Sequence, residues 1–216
     1  TNYLTVILKV DTTHTYSLYI YLLPGYVVGA FICFWWFRWQ RWRFRFLIAG
    51  GMSCFVIFFA ILYFGISPDS TYEMLYLPIF FRGLGMLTLI IAFALFAVED
   101  LNPKYLLSNA FFLIIFRSVL APILATSFYS NALYRLQQKY MYSLSETITT
   151  ADPLSATRYN QSLNNAIAQG HPYNEAAQLA TNSLYNTLQQ QSLLLALKEI
   201  LGYLLVISVV IAVVSR

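Results

Sequence analysis

Ionisable side chains lie inside long apolar stretches: Arg82, Arg117 and Glu199, the last with Lys198 beside it. A charge at the centre of a bilayer costs about 2.5–3.5 kcal/mol on insertion scales, so such residues mark ion or substrate pathways, proton relays or structural ties. Arg117 is the clearest. It lies about ten residues from each boundary of its apolar surroundings, or about 15 Å deep, near a bilayer midplane. From there it cannot snorkel easily. It must face a bundle interior, a water-filled cavity or an acidic partner, either in a transport-related role or as a tie to backbone carbonyls or a neighbouring helix. Arg82 and Glu199 would each sit about 10 Å below one surface. Either they pair, or Arg82 and Lys198 snorkel outward while Glu199 pairs with Lys198 or Arg135.

Conventional catalytic groupings are missing from the chain. It carries no Ser/His pair within its apolar runs, no His-Glu-x-x-His and no Asp cluster, so no enzyme is expected. His14 and His171 are solitary and read as surface or loop residues. Cys33 and Cys54 have no spaced partners, so neither a disulfide framework nor a metal site is expected, and no cofactor is.

The elements that must hold these charges are membrane helices. Arg38, Arg41, Arg43 and Arg45 crowd into Phe37-Arg-Trp-Gln-Arg-Trp-Arg-Phe-Arg-Phe46, between two charge-free runs, Tyr16 to Phe37 and Phe46 to Ser67. Each run is about 22 residues, or about 33 Å as a helix, which matches the hydrocarbon thickness. A short basic loop between two such spans reads as a cytoplasmic hairpin. The chain is 59% hydrophobic and only 10% charged, against about 25% charged in soluble domains. Its formal charge of +4 comes largely from this loop, whose tryptophans suit a headgroup layer, so the partner expected is the lipid bilayer and not nucleic acid.

Five spans follow: Tyr16–Phe37, kinked at Pro24-Gly25; Phe46–Ile66, with Gly50-Gly51; Leu75–Val98, with Arg82; Leu106–Ala132, with Arg117 and Pro122; and Leu193–Val214, with Lys198 and Glu199. The expected fold is all-α, a polytopic helix bundle, with residues 1–216 as one membrane domain. The arginine bias puts the N-terminus outside and the C-terminus inside, in a cell (inner) membrane. Glu99 and Asp100 then end the third span on the inside. They either latch against the arginine loop or stand solvated at a helix end.

Residues 134–191 differ in kind. They are polar yet helical in pattern, and this topology puts them outside as a helical hairpin. Leu133, Leu136, Tyr140 and Leu144 repeat at helical spacing. Asp152-Pro153 starts a helix through Leu154, Tyr159, Leu163 and Ile167, and Gly170 stops it. Pro172 opens another, which nothing breaks before the last span. A helix of about 40 residues, roughly 60 Å, is predicted from about Tyr173.

The order of motifs resembles a known family. Leu77-Pro-Ile-Phe-Phe-Arg82-Gly83-Leu-Gly85, the Leu101-Asn-Pro103 turn, Ser108-Asn109 and Arg117-Ser-Val-Leu-Ala-Pro122 are followed by a long polar segment and a last span. The sequence resembles the C-terminal part of a major facilitator superfamily transporter, nearest to the fourteen-span drug/proton antiporters. Leu120-Ala121-Pro122 stands where that family often has Gly-Gly-Ser. The resemblance implies export of small amphiphilic compounds by proton antiport and alternating access. It implies a partner too, an N-terminal half of the same transporter, without which the chain should transport nothing. The competing reading is a scaffold or sensor whose outer helices dock a partner such as a periplasmic adaptor.

Overall fold

The computed structural model describes residues 19–39, 44–67, 72–99, 102–147 and 153–215. All regular structure among them is helical: α1 (Leu22–Trp39), α2 (Phe44–Gly65), α3 (Tyr76–Glu99), α4 (Leu106–Ile115), α5 (Ala121–Thr147), α6 (Pro153–Ala168) and α7 (Tyr173–Val214). Short 3₁₀ turns at Tyr72–Leu75 and Pro103–Tyr105 precede α3 and α4, and a π turn at Phe116–Leu120 joins α4 to α5. Five stretches are long and apolar enough to cross a membrane: Leu22–Trp39, Phe44–Gly65, Glu73–Val98, Leu107–Glu146 and Tyr173–Val214. Each overlaps one of the five expected, although the first starts later, the fourth runs on to Glu146 and the fifth begins at Tyr173. This is an all-α polytopic membrane protein.

Two compact units divide the chain, Thr1–Phe128 with Lys198–Arg216, and Tyr129–Leu197. In the first, α3 packs against both α1 and α2. Glycines make this possible. A Cβ on Gly25 would strike the Phe80 carbonyl, and one on Gly83 would meet the Leu22 carbonyl at 2.8 Å. On the opposite side, a Cβ on Gly85 would lie 2.9 Å from the Gly51 carbonyl and 3.1 Å from Cys54 Cβ. At one end Cys33, Leu47 and Ala92 form a core with Trp36, Phe37, Ile48 and Ile91 around it.

The pattern is inside-out relative to a water-soluble bundle. Gly25, Gly29 and Cys33 are the buried residues of α1. Phe31 and Phe34 on the same helix are 70% and 68% exposed. Small residues inside and large apolar ones outside fit a lipid solvent, in which helices gain by close backbone approach rather than by hiding hydrocarbon. Pro24 acts as expected. Residues 19–20 are helical, Tyr21 is a turn, and α1 begins at Leu22. Pro24 has no N–H for the carbonyl one turn earlier, so the helix is interrupted there.

The second unit contains α6, with parts of α5 and α7. Leu163 and Ala166 pack on Ala176 and Ala180, flanked by Tyr159 and Ala177. The turn between α6 and α7 is a Schellman motif. His171 N–H donates to the Ala166 carbonyl at 3.2 Å, and Gly170 N–H to Ile167 at 2.9 Å. Gly170 has φ of 92°, the left-handed region that glycine enters at no steric cost. The segment 134–191 expected from composition lies within this unit. α7 then runs unbroken for 42 residues, as its uninterrupted pattern predicts.

The α2–α3 seam gives a paired test. Gly85→Val should lower stability by about 2 kcal/mol through overpacking. Gly50→Ala, with nothing within 4 Å of the added carbon, should be neutral or stabilise by up to about 1 kcal/mol. Thermal unfolding of the two variants in lipid nanodiscs checks this, and equal losses would refute the seam.

Candidate functional site

Arg117 sits in the π turn, Phe116–Leu120, and is exposed. The cause of the turn is two residues beyond its end. Pro122 supplies no N–H and its ring crowds the carbonyl of Ser118, so the helix widens and Ala121 N–H donates to Phe116, five residues back. The next turn recovers α geometry, with Thr126 Oγ1 donating to the Pro122 carbonyl at 2.6 Å. Motif reading places Pro122 inside a plain helix. The π turn is an addition from the structure, and proline beside an intramembrane arginine was its visible signal.

No described residue of α4 or the π turn is buried. Leu107 is 86% exposed, and Phe111, Phe112, Ile114 and Phe116 are exposed with it. A side-chain hydrogen bond ties it to α3: Asn109 Nδ2 donates to the Ala97 carbonyl at 3.0 Å. An amide that holds α4 by a backbone carbonyl was not foreseen from the Ser108-Asn109 pair.

Of the two alternatives for Arg82 and Glu199, the described residues show no ion pair between them. Arg82 is exposed on α3 and has no ion-pair partner among the described residues. Glu199 instead accepts a hydrogen bond from Tyr203 Oη at 2.7 Å. These two are four apart on α7, neighbours on one helix face. Equal depth, which suggested the pair with Arg82, says nothing about which way a side chain faces around its helix. Spacing along α7 carried the better signal. Lys198 beside it is half-buried.

The basic loop is described only at its edges. Arg38 lies in the last turn of α1, where a cation complements the helix dipole, and Arg45 in the first turn of α2; both are exposed. Arg41, Arg43 and Asp100 lie outside the described residues, as does the side chain of Glu99, so the expected latch falls there. Trp35 and Trp39 meet edge to face at 5.9 Å and are both exposed, as headgroup-level aromatics would be.

Elsewhere the chemistry is sparse. Cys33 and Cys54 are free thiols. His171 Nδ1 lies 3.5 Å from Glu175 Oε2 at the start of α7, both exposed. No group of three or more His, Cys, Asp or Glu converges among the described residues. A groove of about 450 Å³ on α7 is lined by Ala177, Gln178, Thr181 and Asn182 and holds no ionisable group. No protein-family model, no curated protein and no solved structure matches the chain.

The Glu199 environment predicts a specific energetic pattern. In a double-mutant cycle, Arg82→Ala and Glu199→Ala should add to within about 0.5 kcal/mol. Tyr203→Phe and Glu199→Ala should be non-additive, by more than the first pair. Unfolding measurements on the variants decide it, and strong coupling of Arg82 to Glu199 would overturn the assignment.

Proposed function

We propose that this chain is the C-terminal part of a secondary active transporter that exports small amphiphilic compounds by proton antiport. The observation that carries the reading is a guanidinium held at mid-span in a π turn. Charged groups at that depth and irregular helical turns both concentrate at functional sites. The glycine-faced contacts of α3 support it as well, because tight backbone seams let helices pack without bulky interlocking side chains. The motif order from Leu77 to Pro122 supplies the link to the drug/proton antiporters. In this reading Arg117 serves the transport pathway. Arg82 and Glu199 tune the environment nearer the outer face. Arg38, Arg41, Arg43 and Arg45 close the inner side with Glu99 and Asp100. The membrane is the inner one, with the arginine loop in the cytoplasm.

A second reading has an observation of its own. Residues 129–197 form a compact unit with its own small core. Such a body suits a scaffold or sensor that docks a partner, a periplasmic adaptor among them, and this role is compatible with transport.

Flux assays separate the readings. Joined to an N-terminal half and reconstituted in proteoliposomes, the chain should drive uptake of a fluorescent lipophilic cation only when a proton gradient is imposed. Arg117→Ala should reduce that flux at least about tenfold, as removal of a charge that serves an intramembrane pathway would. Flux that ignores the gradient would defeat the antiport reading. Removal of residues 138–190 with flux retained and partner capture lost would favour docking.

A further inference from the structure

We propose that the α4–π-turn segment is a docking face for another membrane-spanning helix, one that brings an Asp or Glu carboxylate to the depth of Arg117. Three observations converge on this. The apolar window of this span is the one of the five with no buried residue. The helices before it are partnered, since α3 packs on both α1 and α2. At its centre stands a cation with no hydrogen-bond or ion-pair partner among the described residues.

Lipid can cover the leucines and phenylalanines but not the guanidinium. Hydrocarbon offers no acceptor, and Arg117 is about ten residues from either boundary, too far to reach headgroups with ease. Charge complementarity therefore selects the occupant. A guanidinium presents a planar fork of donors, and a carboxylate matches it with two parallel hydrogen bonds. The π turn helps. Pro122 cannot donate to the preceding turn, so backbone carbonyls there also lack a regular donor, a defect tolerated in membranes when a neighbouring helix or polar side chain compensates. The proposal does not require transport; it holds for any assembly in which this span is covered.

The test uses the chain expressed in cell membranes with a photo-reactive amino acid in place of Ile114, an exposed neighbour of Arg117. Adducts should map to an apolar peptide with Asp or Glu within one turn of the cross-linked position. Arg117→Leu should cut the adduct yield roughly tenfold, and Arg117→Lys should keep most of it. Adducts to lipid alone, to an acid-free helix of a partner, or to an acid-free segment of a second copy overturn the proposal. So does a yield indifferent to Arg117→Leu. An unpaired arginine facing lipid would also make Arg117→Leu more abundant in the membrane, because a costly charge is removed; a paired one makes it less abundant. Should Arg117→Leu fail to accumulate, Arg117→Gln and Arg117→Lys are compared, and equal yields for those two overturn the pairing.

Discussion

The backbone of α3 touches α1 on one side and α2 on the other, and side chains larger than hydrogen would prevent both contacts. In lipid no hydrophobic force pushes helices together, since acyl chains are as apolar as leucine. What remains is dispersion between closely approaching backbones and the few polar bonds that survive in hydrocarbon. Gly25 and Gly83 meet across one seam, Gly51 and Gly85 across the other. Bulky residues are displaced to the periphery, which is why large aliphatic and aromatic side chains are exposed. The packing of the first three spans follows from that one requirement.

Against this tight trio, the fourth span looks unfinished. Its contact with α3 includes an amide, Asn109, that reaches the Ala97 carbonyl, whereas its apolar surface is bare. Its centre carries the feature that hydrocarbon tolerates least. Two kinds of helix thus coexist in one membrane unit: those whose interior partners are present, and one whose charge asks for a partner of opposite sign.

Much of this was legible beforehand, for a physical reason. A bilayer imposes a length, and an apolar run of that length with at most one or two charges is hard to mistake, so five spans and the unbroken α7 could be read directly. Turn chemistry was equally plain at Gly170, where the chain needs a positive φ. The misses share a cause too. Burial depth is a one-dimensional quantity, and sequence supplies it. Rotation about a helix axis is not, and it decides that Tyr203 meets Glu199, a contact that depth alone does not suggest. The widened turn at Phe116–Leu120 was missed because proline is commonly assigned a kink, although relief by a longer hydrogen-bonded ring serves as well.

That widened ring has a geometric consequence. A π turn inserts one residue into a 3.6-residue repeat, so positions after Leu120 are advanced by about 100° relative to the stripe that α4 establishes. The apolar stripe of Leu107, Phe111 and Ile114 therefore does not continue along the line that a regular helix would draw through α5. A surface that follows this span from end to end has to step sideways at the arginine, and a straight helix laid along α4 would part company with α5 there.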